Sequence, residues 1–187
     1  MLAKSLAFLV LKHLLCEDDQ WYLAAETVLD MVFSVQDRPE QVAQHLLQKA
    51  SQHLLSSGPA FQHLLARLAF LVGHLSLKVL LLVDGLEHSL RKMKSEKEKD
   101  QIAEEHNELT QMDGGLEAEV DARIDTLHDI LDKDIIQHNL IGQFSQAIGR
   151  VCQDLLQGRR GKGSGVLEKV CVTALAKMMC VSKSFCA

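Results

Sequence analysis

Apolar residues recur along this chain at three- and four-residue intervals, in runs separated by short polar or glycine–proline joints. That period places them on one face of an α-helix rather than on a strand. The spacing predicts helices over 2–15, 20–34 and 39–55. Trp21, Ala24, Val28, Met31 and Val32 are the expected core face of the second, and Val42, Leu46, Ala50 and His53 the stripe of the third. Glu17, Asp18 and Asp19 stand where a helix start favours negative charge and a capping oxygen, and Pro39 falls in a first helical turn.

Ser56-Ser57-Gly58-Pro59 breaks the pattern, and the longest apolar stretch, 61–93, follows it, with a bend or break expected near Gly73 or Gly85. Ser95 to Asp100 reads as a solvated charged helix end or linker, Gln101 to Met112 as weakly helical, and Gly114-Gly115 as a stop. An acidic helix over 116–135 carries Leu116, Val120, Ile124, Leu127 and Leu131 on one face. Another helix covers 135–156. After a glycine-rich loop at 158–165, the last helix starts at Val166 and buries Leu167, Val170, Cys171, Ala174, Leu175 and Met178.

The resulting expectation is an all-α chain: helical hairpins over 1–94, a charged linker over 95–115, and further hairpins over 116–187. With 187 residues, 4% aromatic and two prolines, the composition lacks the aromatic residues and turn signals of a β architecture. Helices paired by short joints suit a HEAT-type solenoid fragment, with a closed helical bundle as the alternative. Both end segments are apolar helices without a polar cap, which reads as a slice of a longer array. The stretch 68–86 is apolar enough to resemble a membrane span, but His74, Lys78 and Asp84 interrupt it and favour a buried core helix. Lys12 and His13 likewise cut short the signal-like run at the start, so no membrane partner is expected.

The net charge of −5 is unevenly spread. Residues 101–134 hold 11 acidic and 2 basic groups, whereas 135–187 hold 2 and 7. Distinct acidic and basic surfaces follow. Arg91, Lys92 and Lys94, with Lys97 and Lys99 beyond them, form one basic cluster, and Arg159, Arg160 and Lys162 form another in the glycine-rich loop. With so few aromatic rings to stack on bases, any DNA contact should be with phosphate and indifferent to sequence. The loop is not a P-loop, because Gly163 separates Lys162 from Ser164 and a helix, not a strand, precedes it.

Other chemistry finds little support. The five cysteines form no CxxC pair, and His45, His53, His63, His74 and His88 lack the i,i+3 or i,i+4 spacing of helical metal ligands. No nucleophile, base and oxyanion donors come together, so neither an enzyme nor a cofactor is expected. One pattern does stand out. Arg67, His74, Lys78 and Lys92 lie on one line of the apolar helix, each within about 20° of Arg67. Such a stripe suits the inner layer of a solenoid whose groove faces an acidic partner; the alternative is snorkelling basic side chains with a satisfied histidine.

The stretch 65–78 (LARLAFLVGHLSLK), with the basic segment Arg91 to Lys94 beyond it, resembles the HEAT-repeat regulatory subunit of condensin, condensin complex subunit one. That family has a similar arginine, a Val-Gly-His and a following lysine in the same helix. Trp21-Tyr22 with Ala24-Ala25-Glu26 resembles its preceding repeat, and Asn107-Glu108-Leu109 leading to Gly114-Gly115 its acidic-linker signature. The closing stretch 175–186 (LAKMMCVSKSFC) is similar to a family block as well. Two places depart from it: the family's Glu-Leu-Leu turn reads Asp129-Ile130-Leu131 here, and the loop at 158–165 has no counterpart. The resemblance implies a non-enzymatic nuclear scaffold that binds kleisin, SMC heads and DNA, with histones as a further contact, during mitotic chromosome condensation. It also implies a cytoplasmic pool outside mitosis. The alternative is another HEAT or ARM adaptor, of transport or cohesin-loader type.

Overall fold

A computed structural model describes residues 2–16, 18–56, 61–104, 113–158, 165–182 and 185–186. Among them are seven α-helices: α1 (Leu2–Lys12), α2 (Gln20–Val35), α3 (Pro39–Ser56), α4 (Phe61–Glu104), α5 (Asp113–Asp129), α6 (Leu140–Leu156) and α7 (Gly165–Val181). A π-helical segment, Ile130–Gln137, joins α5 to α6. The described residues contain no strand, and the architecture is all-α, consistent with a HEAT-like helical fragment.

Helix α4 organises the rest. Its residues Leu64, Leu65, Leu68, Leu71, Val72, Leu75, Val79 and Val83 are buried on a face broad enough to receive several neighbours. Each side chain of this size contributes roughly 1.5–3 kcal/mol when fully removed from water. Helices α2, α3, α5, α6 and α7 all pack against it. The two groups of helices on either side of 95–115 therefore meet in space through α4. In the most apolar window of this helix 67% of residues are buried in the protein, which is how a core helix satisfies such hydropathy.

The expected bend does not occur: α4 runs unbroken through Gly73 and Gly85, and on through Ser95–Asp100 to Glu104. Gly73 serves packing instead. A Cβ built there would sit 2.6 Å from the Ala174 Cα, so the missing side chain lets α7 approach the α4 backbone. Gly85 faces open space. Gly114-Gly115 likewise does not end a helix but falls in the first turn of α5. Gly158, at φ +62°, ends α6 in the left-handed conformation that glycine adopts without steric cost.

Several predicted faces are rotated by about one residue. Helix α2 buries Trp21, Ala25, Leu29 and Val32, while Ala24 and Met31 are exposed. Helix α3 buries Ala43, Leu46, Leu47 and Ala50, with Val42 half-buried and His53 exposed. Helix α7 follows expectation: Leu167, Cys171, Ala174 and Met178 are buried and Val170 and Leu175 half-buried. The change of helix expected at Ile135 is instead the π segment, whose His138 N–H donates to the Lys133 carbonyl five residues back at 3.0 Å. Cys152 and Cys171 are buried thiols, whereas Cys16, Cys180 and Cys186 are exposed.

Candidate functional site

Arg67 has no exposed surface. Its Nη1 donates to the carbonyls of His13 (2.7 Å) and Leu14 (2.8 Å), and its Nη2 to the carbonyl of Asp18 (2.8 Å). The His13 and Leu14 carbonyls lie in the turn that follows α1, where the helical ladder ends and the dipole is negative, while the Asp18 carbonyl also accepts the Trp21 N–H at the start of α2. The guanidinium lies 4.6 Å from the centroid of the Trp21 ring. The Trp21 indole in turn donates to the Val10 carbonyl at 3.2 Å. Asp18 accepts from the Gln20 N–H at 2.9 Å and so starts α2. One residue of α4 thereby fixes the joint between α1 and α2. Burial is the chief influence drawing the guanidinium below its ordinary pKa range, and it also raises the nearby Tyr22 phenol.

His74 is also buried. Its Nε2 lies 3.5 Å from Asp30 Oδ1, an oxygen that takes Lys78 Nζ at 2.6 Å, and its Nδ1 lies 3.3 Å from Lys177 Nζ and 4.0 Å from Glu26 Oε1. Phe70 stacks on the ring at 5.6 Å and carries Lys177 Nζ 5.5 Å from its own centroid. The Lys78 hydrogen bond holds the Asp30 carboxyl below its usual range. Burial first, and then Lys177, hold the imidazole below the usual histidine range. Arg67, His74 and Lys78 do share one face of α4, but they meet the α1–α2 turn and the acids of α2. Arg67 and His74 are buried against these elements; Arg67 does not snorkel, and its Nε is a buried donor without an acceptor among the described residues.

The other end of α4 is different. Arg91 Nε donates to Glu87 at 3.0 Å, and Glu87 also meets His128 Nε2 of α5 at 3.1 Å. His128, then Arg91, lower the Glu87 pKa. Lys92 is exposed, 3.8 Å from Glu96, and Lys94 is half-buried. Beside them Leu86, Leu90, Met93 and Leu127 line an open apolar groove of about 400 Å³. The loop residues Arg159, Arg160 and Lys162 lie outside the described residues. Among the described residues, no three His, Cys, Asp or Glu side chains gather as a metal site would require.

No family model matches the chain. It is similar to the condensin-1 complex subunit CAP-D2 of Arabidopsis thaliana, 23% identical over 201 aligned residues that cover 89% of this chain. The chain spans 14% of the length of that relative. The relative bears the name CAP-D2 rather than subunit one, so the likeness stands at the level of a condensin-type HEAT subunit.

Sequence reasoning missed the acidic half of the His74 cluster and its third helix. Glu26 and Asp30 are spaced i,i+4 on α2, and His74 and Lys78 are spaced i,i+4 on α4. Two such pairs of opposite sign are the signal that could have matched the helices. Lys177 lies 103 residues from His74, and nothing local announces that contact.

Proposed function

We propose that this chain is a non-enzymatic scaffold segment of a condensin-type complex, acting in mitotic chromosome condensation on nuclear chromosomes. It binds the kleisin chain and SMC heads there, with DNA and histones as further contacts. The observation that carries this reading is the similarity to a condensin-1 subunit along 89% of the chain. The helical architecture, layered about one long core helix, is the kind of surface such a scaffold presents. Because the chain spans 14% of that relative, the whole-protein partners are part of the proposal.

DNA contact falls to Arg91, Lys92 and Lys94 and to the loop residues Arg159, Arg160 and Lys162, while Arg67 and His74 hold the fold. Affinity purification of the tagged protein from dividing cells, followed by mass spectrometry, tests the assembly: SMC and kleisin chains are expected, and recovery of neither defeats the reading. For DNA, each phosphate neutralised adds about 0.9 to the slope of log affinity against log salt on a duplex. Replacing Arg91, Lys92 and Lys94 together with alanine lowers that slope by up to about 3, and the loop triple substitution does the same independently. An unchanged slope removes that cluster from the DNA surface.

A further inference from the structure

We propose that His74 is a proton-operated switch whose Nδ1 exchanges a partner on α7, Lys177, for a partner on α2, Glu26. The inference goes beyond the scaffold reading and does not depend on it. An ammonium has only donors, so Lys177 Nζ at 3.3 Å from Nδ1 requires a lone pair there. Nδ1 is then unprotonated, and Nε2 carries the hydrogen toward Asp30 Oδ1 at 3.5 Å. The contact thus fixes both the neutral state and the tautomer.

A proton can be added only at Nδ1. That places an N–H against the Lys177 ammonium, and two donors of like charge at this distance repel. Glu26 Oε1 stands 4.0 Å from the same nitrogen, with its carboxylate half-exposed and able to swing inward. The protonated imidazole therefore turns from Lys177 to Glu26, while Asp30 remains on Nε2. Every charged group facing the ring takes part: Glu26 and Asp30 from α2, Lys78 from α4 and Lys177 from α7. Phe70 stacks on the ring and also holds Lys177, so release of the ammonium uncovers that aromatic face beside Tyr22, Val170 and Thr173. Acidification strengthens the tie between α4 and α2 and weakens the tie between α4 and α7. Backbone packing of Gly73 on Ala174 keeps α7 in place meanwhile.

Nitrogen-detected NMR of the intact chain reads the switch directly. At pH 8 the His74 ring is expected as the Nε2–H tautomer, with an NOE between the Lys177 side chain and the Phe70 ring. That NOE is lost with the same midpoint as the His74 titration. Lys177→Met removes the repulsion and moves the midpoint up by about half a pH unit, and Glu26→Gln removes the waiting acceptor and moves it down by a similar amount. Both positions are at least partly exposed, and amide dispersion verifies that each variant is folded. The opposed shifts show that both groups face the ring, and loss of the NOE at the same midpoint separates an exchange of partners from a histidine that titrates in place. An Nδ1–H tautomer at pH 8 overturns the proposal. So does an NOE that survives the titration, or the absence of opposed shifts in two folded variants.

Discussion

The two ends of α4 use the same residue types for opposite purposes. Near its start, Arg67, His74 and Lys78 meet carbonyls and carboxylates from α1–α2, with water excluded from the first two. Near its finish, Arg91, Lys92 and Glu87 make ion pairs at the surface, beside an apolar groove. Burial decides which charges hold the fold. An exposed pair gains little against water and side-chain entropy, whereas a buried donor is committed to its acceptors. The first end is consequently poor in side chains available to a partner, and the second is rich in them.

The largest effect separating the ends is expected from Arg67→Met. It strands the buried Leu14 carbonyl and takes one of two donors from the His13 and Asp18 carbonyls, which keep the N–H groups of Cys16 and Trp21, and loses about 2–4 kcal/mol of stability. Arg67→Lys recovers less than half of that, because one ammonium cannot span acceptors that the planar guanidinium reaches with two nitrogens. Arg91→Met leaves the urea midpoint unchanged. Equal losses for Arg67→Met and Arg91→Met would erase the contrast. Next in size is Gly73→Ala, whose Cβ meets Ala174 backbone and must force α7 outward, at about 1–3 kcal/mol.

Acid sharpens the same contrast. The folded state holds His74 below its ordinary range of about 6.5, so between the two values the unfolded chain binds the proton and the folded chain does not. Stability is full above that ordinary value and falls as the pH drops from it toward the folded value. Asp30, also held low, adds a separate loss only in the carboxylate range, as the pH falls through its folded value. Urea midpoints at pH 7.5 and below should show the first step in the wild type and not in His74→Gln. A first step that persists in His74→Gln assigns it to another group.

Much of this was legible from periodicity. The helices, the buried face of α7 and the alignment of Arg67, His74 and Lys78 follow from spacing alone, since each is a local property of one helix. The direction in which the basic stripe points is not local. Arg67 faces the α1–α2 turn because α4 crosses that turn, and no pattern within α4 encodes the crossing. The rotated faces of α2 and α3 have a similar cause. Met31 and Ala24 are apolar enough to suit a core, but they lie about 60–80° to one side of Trp21, whereas the buried Val32, Ala25 and Leu29 lie about 20–80° to the other. Glycine misled for a related reason. In sequence it reads as a breaker, and only the neighbour at Gly73 reveals a packing notch.

Gly85 provides the smallest test and one of opposite sign. It lies inside α4, as Gly73 does, with helical backbone and no heavy atom within 4 Å of the position a Cβ would take. Nothing must move to admit a methyl group there. Alanine removes the excess backbone freedom that glycine has in the unfolded chain and favours the helix by about 0.5–1 kcal/mol. Gly85→Ala should therefore raise the urea midpoint slightly while Gly73→Ala lowers it, with the same atom added to the same helix in both. If Gly85→Ala is destabilising as well, α4 is not a continuous helix at that point in solution, and the bend expected from the sequence returns there. If both glycines tolerate alanine, α7 does not pack on the α4 backbone at Gly73, and the close approach that sets the buried end apart is lost.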